Sequence, residues 1–250
     1  MKALILAAGR GQRMNPLTQT TPKPLLCVQG KALIEWHIEA LARAGVQDIV
    51  INTAWLEAQF PALLGDGQRW QVRLHYSMEG RDHGGALETA GGMAKALALL
   101  GTEDDTPFWV VSGDIFAPEF AFSAAIFEPF THSAYAAHLW LVPNPPFHAK
   151  GDFALTPQGL ATRPTEQTPT TYTYANIALV RPSLVAHVPI GAVAPLGPIL
   201  HEAADAQRLS AELWHGRWEN VGTPEQLNAL NSAATIAVLP KYITESPAKY

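Results

Sequence analysis

The sequence predicts an α/β protein built on a doubly wound, mostly parallel sheet, and three observations lead there. The first residues form a continuous apolar run, Lys2 to Ala8, that stops at Gly9, as a strand buried on both faces of a parallel sheet does. Short β-branched runs then alternate with stretches of helical periodicity as far as Ser112. Of the 250 residues, 48% are apolar and only 16% charged, which is enough apolar material for a sizeable core.

The elements follow in order. After a Gly-rich and Pro-rich loop, Ala32 to Ala44 places Leu33, Ile34, Trp36, His37, Ala40 and Leu41 at helical spacing, and Gly45 is a C-terminal stop. Asp48 to Asn52 is a second strand, Trp55 to Leu64 a helix, Val72 to Tyr76 a third strand and Glu88 to Leu100 a long helix. Phe108 to Val111 is a buried strand that runs into Ser112-Gly113-Asp114. In such sheets ligands lie outside the carboxyl ends of the strands, and both Gly9 and Asp114 fall at such ends. From about residue 134 the texture changes. Strands are expected over Tyr135 to Val142, Gly151 to Leu155 and Thr171 to Val180, with a turn at Pro143 to Pro146 and a polar surface loop at Thr162 to Thr170. Helices are expected over Pro195 to Ala206 and Pro224 to Ser232. One domain over residues 1–232 is the expected organisation, in two halves meeting near 133–134, with residues 233–250 a tail of little periodicity.

Charge and cysteine usage narrow the partners. Seventeen Lys and Arg against 22 Asp and Glu leave -5, which offers no general attraction for nucleic acid or an anionic membrane. The single cysteine, Cys27, cannot form an internal disulfide and suits a reducing compartment. The opening apolar run is shorter than a signal-peptide core, and no later run approaches the ~20 residues of a membrane span. Cytoplasm is the expected location.

The chemistry gathers in Leu6-Ala7-Ala8-Gly9-Arg10-Gly11-Gln12-Arg13-Met14-Asn15-Pro16-Leu17-Thr18. Ala7, Ala8, Gly9 and Gly11 leave backbone N–H groups open to a polyphosphate, and Arg10 and Arg13 add charged donors. The run is neither a Walker loop nor a G-x-G-x-x-G dinucleotide loop. Lys23 lies between two prolines that restrict its neighbours, which suits a fixed charge on phosphate; an exposed loop lysine is the alternative. The nine histidines form no metal-binding cluster, and His37, His75, His138 and His187 lie in apolar runs where a structural role is expected. The seven tryptophans are scattered as core residues are.

The run LAAGRGQRMNPLT followed by PKPLL resembles the signature of the sugar-nucleotide pyrophosphorylases, which join a sugar 1-phosphate to a nucleoside triphosphate. Ala86 to Gly92, Ser112-Gly113-Asp114, Gly151-Asp152-Phe153 and Trp218 to Pro224 extend the resemblance over residues 3 to about 230. Within that family, the compact length and the ETAGG and GDF segments are most similar to the N-acetylmuramate-1-phosphate uridylyltransferases of cell-wall recycling.

The resemblance implies a Rossmann-like nucleotidyltransferase fold with a smaller sugar-binding part in the second half. It implies that Ala7, Ala8, Gly9, Arg10, Gly11 and Gln12 wrap the triphosphate, that Glu88 and Thr89 lie beside the base, and that Arg13, Lys23 and Asp114 do the catalytic work. It further implies UTP as the favoured nucleotide, with guanylyl or thymidylyl transfer to a hexose 1-phosphate as alternatives, and Mg²⁺ as the cofactor, with Asp114 as a ligand. Where the family often has a second aspartate this chain has Asn220, either a neutral metal ligand or a turn-capping residue. That departure also motivates a rival reading, a nucleotide or sugar-phosphate binding module without turnover. Ser112, Gly151, Asp152 and Asn176, and Glu166 as a further candidate, are expected on the sugar phosphate side, with Arg163 and Lys150 as candidate partners for a sugar carboxylate. Gly80 to Gly85 is expected to be a mobile loop, a candidate lid. No left-handed β-helix extension is evident, which is compatible with a monomer.

Overall fold

A computed structural model describes residues 1–101 and 104–232, so the tail expected at 233–250 lies outside the described residues. Seven strands form the main sheet: β1 (Lys2–Leu6), β2 (Asp48–Thr53), β3 (Arg73–Met78), β4 (Phe108–Ser112), β5 (Ala137–Val142), β6 (Thr173–Val180) and β7 (Leu209–Leu213). Their spatial order is β7, β5, β6, β4, β1, β2, β3. β1 pairs in parallel with β2 and β4, β2 with β3, and β5 with β7, while β6 runs antiparallel to both β4 and β5. The sheet is thus mixed and mostly parallel, and the one reversed strand has a consequence: β6 brings its first residues to the edge where the others end.

Burial explains why these runs are strands. Ala3, Leu4, Ile5, Phe108, Trp109 and Val111 are fully buried, the condition of a strand covered on both faces. On one face α1 (Leu33–Arg43) packs Ile34, Ile38 and Leu41 into a core that includes Trp109, Trp140 and Phe122. On the other, α4 (Glu88–Leu100) and α6 (Leu196–Asp205) enclose Leu4, Val110, Leu139 and Leu200. Helix α1 begins at Ala32, whose N–H is taken by the Glu35 carboxylate at 2.7 Å.

Several expectations are corrected. The stretch Trp55 to Leu64 is helical only over α2 (Gln59–Leu64), because the Trp55 indole is drawn to the Thr18 carbonyl at 2.8 Å and Leu56 takes φ 49. Gly80 to Gly85 is not simply a loop: α3 (Glu79–His83) covers its first four residues, and Asp82 bonds both Arg81 and Lys95. Gly151 to Leu155 yields only Ala154–Leu155 as strand, paired with Ala161–Thr162. Strand β7 was not foreseen, nor was the short antiparallel pair of Ile115–Phe116 with Glu219–Asn220. Helices α5 (Ala124–Thr131) and α7 (Pro224–Asn231) complete the described chain.

Candidate functional site

The carboxyl edge of β1 and β4 opens into a cleft of about 530 Å³. Ala7, Ala8, Gly9, Arg10, Gly11, Gln12, Arg13, Lys23, Glu88, Thr89, Ser112, Asp114 and Asn176 all line it. The turn after β1 is shaped by Gly11, whose φ of +62 is left-handed; a Cβ there would lie 3.1 Å from Thr18 Cγ2 and 3.2 Å from Lys23 Cβ. Past it Gln12–Met14 forms one 3₁₀ turn, with exposed Arg13 on it and Met14 anchored in the core. Arg10 lies over the Trp55 ring, 4.2 Å from its centroid, a cation–π contact that orients the guanidinium.

Lys23 is not an exposed loop lysine. It is 6% exposed, and its ammonium lies 2.8 Å from Asp114 Oδ2. Asp114 Oδ1 accepts a hydrogen bond from the Ser112 hydroxyl at 2.7 Å. Burial pushes the Asp114 carboxyl up, but the Lys23 ammonium and the bonds from Lys23 and Ser112 outweigh it and leave it below the ordinary carboxylate value. The site therefore keeps a fixed anion and a fixed cation side by side at the end of β4.

Asn220 reaches the same place from the second half of the chain. It stands opposite Ile115 in the short strand pair, and the next residue, Val221, donates its N–H to the Asp114 carbonyl at 3.2 Å. Its side-chain Oδ1 is buried and has no hydrogen-bond partner among the described residues. Asn220 lines the second cavity described below and Asp114 the first, on backbones joined by that strand pair, and an orphaned hard oxygen and an ionised carboxylate are the donor types Mg²⁺ takes, since that ion uses one or two protein oxygens and completes its shell with phosphates and water. No cluster of three or more His, Cys, Asp or Glu side chains arranged for a metal occurs among the described residues.

A second cavity of about 590 Å³ adjoins the first and shares Arg13, Glu88, Thr89, Tyr174 and Asn176 with it. Asn176 sits at an irregularity of β6 with φ 58, the left-handed conformation that asparagine tolerates better than most residues. Asp152 lines this cavity, but its oxygens are engaged, one by the Tyr174 N–H at 2.8 Å and the other by His148 Nε2 at 2.9 Å. Four expected residues do not line either cavity. Gly151 faces Asn144 and the Tyr172 carbonyl, Arg163 is paired with Asp205 at 2.8 Å, and Lys150 and Glu166 are exposed elsewhere. Sequence reasoning missed Asn52, Tyr174, His201 and Trp218, all of which line one or both cavities. Two of them carried a sequence signal: Asn52 as a polar residue at the end of an apolar strand, and Trp218 as the first residue of the segment that extends the family resemblance.

A glycine-shaped loop after β1, a buried lysine paired with a half-buried aspartate and a second cavity across the same edge stand together, and comparison with known proteins gives the class. Residues 2–146 match the family model described as nucleotidyl transferase, and the chain belongs to that family. Over its length the chain is 44% identical to N-acetylmuramate alpha-1-phosphate uridylyltransferase of Neisseria meningitidis, in a match covering 94% of this chain and 98% of that one. It is 30% identical to the enzyme of the same name from Caulobacter vibrioides, over 89% of this chain and 92% of that one. A UTP–glucose-1-phosphate uridylyltransferase from Synechocystis is 40% identical over 46% of this chain and 30% of its own length. In fold the chain is similar to a Bacillus anthracis crystal structure described as a glucose-1-phosphate thymidylyltransferase, with TM-score 0.79 and 21% identity over 94% of this chain and 95% of that one.

Proposed function

We propose that this chain transfers the uridylyl group of UTP to N-acetylmuramate 1-phosphate, giving the UDP-sugar and pyrophosphate, as a step of cell-wall recycling in the cytoplasm. The observation that carries the reading is the gathering of Arg13 and the Lys23–Asp114 pair in one cleft, with Arg13 also lining the second cavity. The full-length relatives of that activity supply the choice of nucleotide and sugar.

In this reading an oxygen of the sugar phosphate attacks the α-phosphorus. The bond from that phosphorus to the bridging oxygen breaks, and its electron pair leaves with pyrophosphate. Such a displacement needs alignment and charge compensation and no covalent help from the protein. The open N–H groups of residues 7–12 cradle the β- and γ-phosphates, and Lys23 neutralises the α-phosphate. Arg13, exposed and with its guanidinium carbon 3.7 Å from where a Cβ on Gly222 would lie, faces both cavities and bridges the two substrates' phosphates. Glu88 and Thr89 lie beside the base, while Ser112 holds Asp114 in place. Asp114 and Asn220 would hold Mg²⁺, which when bound supplies further charge compensation on the reacting phosphates. Asn176 and Asp152 face the sugar. No helix among the described residues is long and apolar enough to cross a membrane.

The test is pyrophosphate release with Mg²⁺, crossing UTP, GTP, dTTP, CTP and ATP with the 1-phosphates of N-acetylmuramate, N-acetylglucosamine, glucose and mannose. Turnover is expected for UTP with N-acetylmuramate 1-phosphate. Turnover confined to another pair reassigns the substrates, and nucleotide binding without pyrophosphate release in any pair supports the binding module instead.

A further inference from the structure

Behind the cleft wall lies a buried polar chain that none of the roles above uses. Glu79, the first residue of α3, is 0% exposed, and Asn52 near the end of β2 is 3% exposed. The Ala7 N–H is shared between the Asn52 carbonyl at 3.2 Å and Asn52 Oδ1 at 2.8 Å. Asn52 Nδ2 donates to Glu79 Oε1 at 2.7 Å, and the Leu87 N–H donates to Glu79 Oε2 at 2.8 Å. Ala7 opens the phosphate loop, and Leu87 immediately precedes Glu88 and Thr89. The room for this chain comes from Gly92 in α4, where a Cβ would lie 2.5 Å from Asn52 Nδ2 and 2.6 Å from Glu79 Oε1. A buried carboxylate costs free energy that an apolar side chain would not, so its presence here calls for a role.

We infer that Glu79 is a positioning residue that, through Asn52, fixes the phosphate loop and the segment around Glu88 in one register, so that triphosphate and base are bound together. The inference rests on the proposed assignment of those two segments to phosphate and base. Both Glu79 oxygens accept, so the polarity of the chain is fixed from end to end. Burial pushes the Glu79 carboxyl above the ordinary value, and the Leu87 N–H, the Asn52 amide and the charges of Lys95 and His83 offset only part of that rise.

That polarity gives a stringent test. Glu79→Gln forces two donors to face each other, at Asn52, at Leu87 or, if the Asn52 amide turns over, at Ala7. In the double variant Asn52→Asp/Glu79→Gln every bond can re-form: the Ala7 N–H donates to Asp, the Gln amide donates to Asp, and the Leu87 N–H donates to the Gln carbonyl. The readouts are calorimetric Kd values for UTP, CTP, ATP and inorganic tripolyphosphate, with thermal melts alongside. Glu79→Gln is expected to weaken UTP binding roughly tenfold, the effect of one lost charge-assisted bond. It should also narrow the preference for UTP over the other nucleotides, and the double variant should restore both. A Glu79→Gln protein that melts lower but binds UTP with unchanged Kd and preference overturns the inference. So does a double variant that stays weak or does not fold, since it keeps all three bonds. Wild-type protein that binds no nucleoside triphosphate overturns the functional reading itself, and the inference with it.

Discussion

His37 offers a perturbation whose size follows from its surroundings. It lies on α1, 3% exposed, and its Nε2 donates to the Ile115 carbonyl at 2.8 Å, directly behind Asp114. Burial lowers its pKa from the ordinary 6.5 to about 4, against smaller opposing effects of the Ile115 bond and the Asp114 charge. Below pH 6.5 the unfolded chain takes up a proton that the folded chain refuses until about pH 4, so this contribution to stability is present at neutral pH and lost across that window. At 1.36 kcal/mol per pH unit the full loss is about 3 kcal/mol, of which about 2 kcal/mol is gone by pH 5. His138, also lowered to about 4 by burial, adds a parallel loss in the wild type, so the assay must be differential. His37→Gln keeps an amide donor near the Nε2 position and cannot titrate. Urea unfolding at pH 7.5 and pH 5 should show wild type losing about 2 kcal/mol more than the variant. Equal losses in the two proteins would refute the claim that the imidazole is held neutral.

Lys23→Met keeps the buried stem and removes the ammonium; pyrophosphate release should fall by about 10²–10³ in kcat/KM, and a change under threefold would remove Lys23 from the reaction. Asn220→Asp should raise the Mg²⁺ affinity of nucleotide-free protein on the order of tenfold, whereas the wild type should bind Mg²⁺ weakly until UTP is present. Tight Mg²⁺ binding by the nucleotide-free wild type in titration calorimetry contradicts this. Gly11→Ala meets a left-handed φ and a close contact with Lys23, so it should cost about 1–2 kcal/mol in urea unfolding and lower turnover as well. A variant as stable and active as the parent would show that the turn relaxes freely.

What the sequence revealed about the fold was governed by how locally each element is determined. Strands β1 and β4 are built on continuous apolar runs, β2 on the β-branched Ile49-Val50-Ile51, and α1 and α4 are long and periodic, so their residues alone identify them. Strand β7, Leu-Ser-Ala-Glu-Leu, is an edge strand with one face polar, and nothing in its own residues distinguishes it from a loop until β5 is beside it. The helix expected from Trp55 fails for a similar reason, because a distant carbonyl takes its indole N–H. That the turn after β1, Lys23 and Asp114 line one cleft could be expected from the sequence, because strand ends and the turns that follow them lie together in it. The second cavity is assembled from Arg13, Glu88 and Thr89 together with residues scattered from 147 to 220, and which of its polar groups face inward depends on tertiary packing. Hence Arg163 and Lys150 were reasonable expectations that the fold sends elsewhere, while Tyr174 and His201 gave no sign.

The charge of the whole chain and the charge of its cleft point in opposite directions, and the cleft is the relevant one. The protein carries -5 overall, yet the first cleft gathers Arg10, Arg13 and Lys23 against only Glu88 and Asp114. Attraction for a polyanion is therefore local, which matches a small phosphorylated ligand and argues against an extended nucleic-acid surface. Asp114 would seem to work against phosphate, but Lys23 holds it ionised and occupies the near side of its field. Under the proposed function, the ionised Asp114 carboxylate and the orphaned Asn220 oxygen are half of a cation site that arriving phosphates would complete. If Asp114 and Asn220 hold the cation proposed above, an amide in place of a second carboxylate leaves the pair one negative charge, and cation binding is then expected to depend on nucleotide, the outcome that the Mg²⁺ titrations of wild type and Asn220→Asp decide.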